Sequence, residues 1–498
     1  MDLTPLLLSP LLKRLRPLFD QEEQPVYLVG GAVRDALLGR VSPDLDFAVP
    51  EQAVKVTFHV ADTLGVPAYV LDRERDTGRV VLPDEATTLD FARFRGPTLE
   101  ADLRDRDFTI NAMALPATAV SDGSLIDPLG GRADLQAGRI RLTHGQALMD
   151  DPVRALRALR LALSLNFSLP PETTTAIGAA IPYLHTVSSE RVRDELLKLL
   201  QTTMPDQAVA QMAELSLLAA VLPEIAALAD VVQSAPHHEA VLPHTISVLR
   251  WLVQVEAALA ADEAIDDPAV VAVGTALANY APQLSEHLQR REEGNVAGRT
   301  LLRLGALFHD VGKRETRTVE ESGRVRFIGH DQLGATLAAR RLRHLTLSNK
   351  AISHVRRIVA NHMRPLLLAE EGLARPSRRA VYRFFRDAGP AGLDVGLLAL
   401  ADHLATHNGP GDLARWQRLL TVVITLFGHY FEQFTETVAP APLLDGNELM
   451  AALQLVPGPE VGRLLRLIEE AQAAGEVTTK EEAIHFARQR IGPATVDR

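Results

Sequence analysis

Cysteine is absent from the 498 residues. That excludes disulfides, a thiol nucleophile and any thiolate zinc site, and it suits a reducing compartment. Aromatic residues make up only 5%, so leucine, valine and alanine must fill the cores. No stretch reaches the roughly 18 apolar residues of a membrane-spanning helix, and no membrane partner is expected. The opening MDLTPLLLSPLLKRLRPLF places its positive charge after the apolar run. A secretory leader has the reverse order, so a cytoplasmic protein is expected.

Net positive charge is also missing, since the formal sum is −11. Taken as an average, that disfavours a nucleic-acid binder. The charge is segregated, however. Between Arg324 and Arg386, fourteen Lys and Arg face only three acids, a local +11 that leaves −22 on the rest. A basic surface on an acidic protein can hold a phosphate backbone. Arg340, Arg341, Arg343, Arg356, Arg357, Arg378 and Arg379 are the candidate RNA contacts. The plainer alternative is a solvated helix face.

What is present reads as an ordinary folded chain, with 47% apolar and 23% charged residues. The patterns predict an α+β protein. A mixed head occupies 1–145, a helical neck 146–230, a helical region rich in histidine 231–408 and a helical tail 409–498. In the head, VYLVGG reads as a buried strand running into a glycine turn, AVRDALLG as a short helix, and LDFAVP (45–50) as the next strand. VVLPDEATTLDFARF holds a pair of short strands, and RIRLT (139–143) a last one. DDPVRALRALRLALSL and SSERVRDELLKLLQ have the apolar spacing of amphipathic helices, with Ser189 as N-cap of the second.

The first chemical constellation follows the glycine pair. Gly30 and Gly31 open a helix whose first turn carries Arg34. Free N–H groups at such a turn attract phosphate, and glycine lets it approach. Asp44 and Asp46 share one face of a strand, because i and i+2 point the same way. Two adjacent carboxylates need a cation, and oxygen ligands on one wall suit Mg²⁺ with a triphosphate. Asp90 is the candidate third carboxylate on a neighbouring strand. Arg106 is placed to clamp a phosphate, Asp107 to accept from a ribose hydroxyl, and Asn111 to orient the turn.

GGAVRD, D-x-D, RDFTINAMA, DPLGG and DDPVRALRALR occur in this order. Together they resemble the head of class II tRNA nucleotidyltransferases, the enzymes that build the CCA end of tRNA and are related to bacterial poly(A) polymerases. The resemblance implies a polymerase-β-like palm, Mg²⁺, CTP and ATP as substrates and tRNA as partner. It implies that Gly31 and Arg34 touch the nucleotide, that Asp44 and Asp46 bind Mg²⁺, and that Arg106 matches the arginine of the family's RDFT motif.

Asp151, Arg154, Arg157 and Arg160 recur every third residue, and the spacing predicts one helix carrying all four. By itself this is a surface ion-pair pattern worth a few tenths of a kcal/mol, of the order of ~0.3 kcal/mol. Beside the head motifs it fits a base reader. A carboxylate accepts from the exocyclic amino group of cytosine or adenine, and a guanidinium donates to the neighbouring ring acceptor. Uracil and guanine present the opposite pattern, and each mismatched buried polar group costs about 1–3 kcal/mol. The family's E-D-x-x-R motif is used in this way, and here it reads Asp150-Asp151-Pro152-Val153-Arg154. Between Arg95 and Arg106 only GPTLEADLRD intervenes. In the family a longer loop here helps to reshape the pocket from C to A. Full CCA addition, CC-only addition and A-only or poly(A) addition therefore stay open.

The third constellation is His244, the His309-Asp310 pair, His330, His362 and Asp402. Neutral imidazoles and carboxylates are ligands for Mg²⁺, Mn²⁺ or Ni²⁺. In this order they resemble the HD phosphohydrolase superfamily, which implies that His244, His309, Asp310 and Asp402 hold a second divalent metal. His330 and His362 are left for a further metal or a phosphate, and Lys313 for phosphate or as a plain surface lysine. A metal-dependent phosphohydrolase activity is expected, against the alternative of a relic fold that supports tRNA. Two other classes stay in view: an HD phosphohydrolase whose head only binds RNA, and a pure RNA-binding protein. The intact carboxylates of the head argue against both.

Overall fold

The computed structural model describes residues 3–7, 9–42, 44–83, 87–120, 124–260, 266–292, 296–371 and 375–491. The chain forms two compact units. One holds residues 1–195 with 214–220, the other 196–213 with 221–498. The first is mixed α/β. Among the described residues the second is helical apart from two short two-stranded ribbons.

The first unit is built on a six-stranded sheet. Its strands are β1 (Tyr27–Val29), β2 (Asp44–Val49), β3 (Ala68–Asp72), β4 (Thr77–Leu82), β5 (Thr87–Arg93) and β6 (Ala114–Pro116), in the order β3-β4-β5-β2-β1-β6. Only β2 and β5 run parallel. Parallel neighbours need a crossover, which the helix Ala53–Leu64 and the β3–β4 hairpin supply. Strand β2 alternates Asp44 and Asp46 outward with Leu45 and Phe47 inward. The inward side packs aromatically: Phe47 stacks on Phe91 at 4.9 Å and meets Phe19 at 5.1 Å.

Two strands were not evident in the sequence pattern, β3 and β6. Conversely, RIRLT is not a strand; Leu142 and Arg139 make only isolated bridges, to Phe108 and Ser168. The VVLPDEATTLDFARF pair is present as β4 and β5, with residues 84–86 between them outside the described residues. The helix Ser189–Gln201 begins at Ser189 itself, so the residue expected as its N-cap is its first helical residue. No helix among the described residues is long and apolar enough to cross a membrane.

In the second unit, a helical core carries the histidine-rich motif. The helix Val241–Ala260 packs on Gly392–His407 and on Gly298–Phe308. Beyond it, Leu444, Leu449, Leu464 and Ile468 form a separate small core in the tail. The tail helix Gly446–Leu453 starts with a capping box between Asp445 and Glu448.

Candidate active site and metal centre

The first site is set by the turn after β1. Gly30 has φ +74°, a conformation L side chains rarely adopt, and a Cβ there would lie 3.2 Å from Arg106 Nη1 and 3.5 Å from Asp46 Oδ2. Glycine thus lets the turn, the guanidinium and the carboxylate converge. Gly31 starts the helix Gly31–Leu37. Arg34, on that helix, is aimed by Asp35 at 2.8 Å and 2.9 Å and by Asn111 Oδ1 at 2.7 Å.

Asp44 and Asp46 face the same way, as the strand period requires. Asp44 Oδ1 accepts a 2.6 Å hydrogen bond from Thr88 Oγ1. Among the described residues neither aspartate is in an ion pair. The Asp46 carboxyl is held above its ordinary range, mainly because protein surrounds it at the base of an open face. Arg106 opposes that shift, and the charges of Asp90 and Asp44 add to it. Mutually repelling, unpaired carboxylates are hard oxygen donors and suit a hard divalent cation.

Asp90 is in register with Asp46 across β2–β5, so it is beside the pair as expected. Its oxygens are not free, however. Arg79, opposite it on β4, holds both at 2.6 Å. Asp90 therefore enters the site as half of a bidentate ion pair rather than as an open third ligand. Arg106 is likewise fixed from below. Asp102, 2% exposed, accepts from its Nη2 at 2.9 Å and its Nε at 3.2 Å, and also from the backbone N–H of Arg95 at 3.1 Å. Asp102 was missed in the sequence, although its i,i+4 spacing from Arg106 was a signal. Asp102→Asn is expected to cost about 1–3 kcal/mol of stability. Thermal melting checks it.

Asp107 differs from its expected role. It is buried, and its oxygens accept from Phe108 N–H (2.8 Å), Asn111 Nδ2 (3.0 Å) and Arg157 Nη1 (3.1 Å). Burial alone would raise its pKa; Arg157, Asn111 and the Phe108 N–H outweigh it and hold the carboxyl below its usual range. With these bonds Asp107 fixes the turn and Arg157, rather than reaching for a ribose.

The residues expected to read the base are arranged differently from one continuous helix. Asp151 is extended (φ −148°, ψ 93°) and the helix begins at Arg154. Pro152 explains this, since the residue before proline is pushed out of the helical region. Asp151 is still beside Arg154, with Nε at 3.8 Å, and Arg191 Nη2 donates to it at 2.6 Å. Arg154 is buried and gives hydrogen bonds to the carbonyls of Ala147 (3.1 Å), Asp105 (3.0 Å) and Arg106 (3.3 Å). The residue that faces Asp46 and the residue that faces Asp151 are therefore joined through the main chain at Arg106. Arg157 and Arg160 converge on buried Glu195, at 3.3 Å and 2.7 Å. They brace the helix, and neither guanidinium stands open beside Asp151. Arg191 and Glu195 were not singled out in the sequence.

In the second unit six residues of the histidine motif meet. His244 lies in the first turn of Val241–Ala260, His309 and Asp310 follow Gly298–Phe308, His330 opens His330–His344, His362 closes Asn349–Asn361, and Asp402 lies on Gly392–His407. All are buried. Gly312 lets the chain after Asp310 touch the His330 turn: a Cβ there would lie 2.2 Å from the His330 carbonyl oxygen. The Nδ1 atoms of His309, His330 and His362 each donate to a backbone carbonyl at 2.7 Å, those of Ala306, Phe327 and Val359. That fixes the proton on Nδ1 and turns the Nε2 lone pairs inward. His330 Nε2 and His362 Nε2 are then 3.2 Å apart, two lone pairs facing each other. Asp310 Oδ1 lies 3.5 Å and 3.9 Å from them, and His244 Nε2 is 3.0 Å from Asp402. His309 Nε2 lies 3.1 Å from Asp310 Oδ2. The two Nε2 lone pairs of His330 and His362, facing each other beside Asp310 Oδ1, fit a divalent cation. His362, pushed down to about 3 by burial and by His309 and His330, is neutral near pH 7. Lys313 is not a surface lysine: it is buried, 2.6 Å from Asp310 Oδ2 and donating to Gln233 at 2.7 Å.

The basic segment is partly neutralised. Arg341 makes a bidentate pair with Glu224 (2.8 Å and 2.9 Å), Arg378 lies 3.9 Å from Glu436 and Arg379 pairs with Glu476 at 2.7 Å. Arg341 and Arg379 are tied to protein carboxylates and are not free RNA contacts, while Arg340 stands 3.9 Å from Glu224 as Arg378 does from Glu436. Arg340, Arg343, Arg356 and Arg357 are exposed.

Residues 26–141 match the family described as Poly A polymerase head domain, and 166–228 the probable RNA and SrmB-binding site of polymerase A. Residues 271–407 match the HD domain, and 438–487 the putative tRNA nucleotidyltransferase domain 2. The chain is 35% identical to an A-adding tRNA nucleotidyltransferase of Deinococcus radiodurans, over 93% of this chain and 94% of the relative. It is 34% identical to a CC-adding tRNA nucleotidyltransferase of Thermus thermophilus, over 92% of each. A solved CCA-adding enzyme in complex with ATP shares the fold, with a TM-score of 0.63 and 20% identity over 99% of both chains.

Proposed function

The chain belongs to the tRNA nucleotidyltransferases that carry a poly(A) polymerase head and an HD domain, and we propose that within them it adds the two cytidines of the CCA end and stops. One observation carries a single-base reading, and the shortness of the same segment favours cytosine, since the resembling enzymes that add only two cytidines tend to lack the longer loop. The segment between β5 and Arg106 is a closed turn and the capped helix Leu99–Arg104, fastened by buried Asp102 to Arg95 N–H and to Arg106. A pocket wall fastened this way has one width, and cytosine and adenine differ in width while sharing an amino donor beside a ring acceptor. A second reading, A-addition to tRNA already ending in CC, is favoured by the identity to the Deinococcus radiodurans enzyme.

Asp44 and Asp46 would hold Mg²⁺, which when bound neutralises phosphate charge and favours the ionised form of the RNA 3′-hydroxyl. Arg34 and Arg106 are held by Asp35, Asn111 and Asp102 where they can grip the triphosphate. The 3′-oxygen of tRNA forms a bond to the α-phosphorus of CTP, the α–β anhydride bond breaks, pyrophosphate leaves and the hydroxyl proton passes to solvent. Asp151 accepts from the cytosine amino group, and the unused donor positions of Arg154 face the ring acceptors. Exposed Arg340, Arg343, Arg356 and Arg357 are assigned to the tRNA backbone, read by shape and charge.

The test uses tRNA lacking CCA, and tRNA ending in CC, with each labelled nucleotide in turn. Two cytidines on the first and none on the second is the expected result. A single adenosine on the second only means A-addition, three residues mean full CCA addition, and a long tail means poly(A) synthesis. For the HD centre we assign a metal-dependent phosphohydrolase activity on RNA ends, supported by the donor sets His244, His309 and Asp310 and Asp310, His330 and His362. Phosphate release from a 2′,3′-cyclic nucleotide is expected to be lost in His309→Ala. Absence of that activity in the metal-loaded wild type would leave the centre a structural one.

A further inference from the structure

Three residues outside both sites form a separate donor set. His287 lies on the helix Ala281–Gln289, His354 on Asn349–Asn361 and Asp394 in the first turn of Gly392–His407. Their donor atoms lie within 4.8 Å of one another. His287 Nε2 is 2.9 Å and His354 Nε2 2.8 Å from the same oxygen, Asp394 Oδ2. Asp394 is fully buried, and its other oxygen, Oδ1, has no hydrogen-bond partner. Half its acceptor capacity is thus unused in the interior, a costly arrangement without a cation.

We infer that His287, His354 and Asp394 form a third divalent-metal site, a staple that joins three helices of the HD unit and takes Zn²⁺ or a similar borderline ion. Two imidazoles and one carboxylate are a three-ligand set for such ions, with a water as the fourth ligand. Both imidazoles retain some exposure, 15% and 16%, which gives the ion a way in and water a place. The site is distinct from the HD centre. Asp394 is two helical turns before Asp402 on one helix, a separation of about 12 Å along its axis.

The test is isothermal titration of Zn²⁺ into the full chain in buffer containing Mg²⁺. His309→Ala with Asp310→Ala removes ligands of the HD centre, and this protein is expected to keep one tight Zn²⁺. Adding His287→Gln and His354→Gln keeps hydrogen-bond donors against Asp394 while removing the imidazole ligands. Affinity for that Zn²⁺ is expected to fall at least about 100-fold. In the otherwise wild-type chain the two Gln substitutions alone should lower the stoichiometry by one, so the comparison survives if the HD variant does not fold. No Zn²⁺ bound by the HD variant when folded, or binding undiminished by the Gln substitutions, would overturn the inference and leave the triad a hydrogen-bonded contact.

Discussion

Replacing Asp46 with alanine is expected to lower nucleotide transfer by about 10³-fold or more, since electrostatic stabilisation of the transferring phosphoryl group is the main catalytic resource of such a site. The fold should not suffer. Asp46 is crowded by the charges of Asp90 and Asp44 and surrounded by protein, so its ionised form is disfavoured in the folded state. Because its folded pKa lies above the unfolded one, the group costs stability as the pH rises above the ordinary carboxylate range. Asp46→Ala should therefore melt at the same temperature as the wild type or slightly higher in EDTA. Binding of tRNA should be retained, since the assigned phosphate contacts are arginines elsewhere. Transfer assays, filter binding and thermal melting on one preparation separate these outcomes. A variant that loses tRNA binding together with activity would place Asp46 in the RNA surface.

Asp151→Ala is expected to act on choice more than on rate. Arg154 stays in place without it, because three backbone carbonyls hold the guanidinium. The lost carboxylate removes the acceptor that matches an amino group and meets a carbonyl unfavourably. At about 1–3 kcal/mol for a mismatched polar pair, discrimination between CTP and UTP should fall about 5- to 150-fold. The rate with CTP should fall less. Competition of CTP and UTP for tRNA lacking its end gives the ratio directly. An unchanged ratio would show that Asp151 only anchors Arg191.

Much of this site is legible in the sequence because it rests on local periodicity. The i,i+2 rule placed Asp44 and Asp46 on one face of β2, and the glycine pair marked a turn whose positive φ only glycine takes easily. The ordered His and Asp residues of the second unit pointed to one centre only through their resemblance to the HD superfamily. What was not legible depends on partners distant in the chain. Asp90 reads as an open ligand until Arg79 is seen opposite it, and Asp107 until Arg157 is. The apparent +11 segment loses Arg341 to Glu224 and Arg379 to Glu476, acids that lie 117 and 97 residues away. Asp151 left the helix for a local reason, Pro152, which outweighs the three-residue spacing. His287, His354 and Asp394 carry no motif at all and meet only through the packing of three helices.

The central claim is that side chains alone choose the incoming letter. Titrating RNA-free protein with CTP and with UTP, in Mg²⁺, tests it without any catalysis. The account predicts that CTP binds about tenfold tighter or more than UTP, in line with one or two matched polar contacts. Equal affinities would contradict it, because selection would then have to come from the RNA.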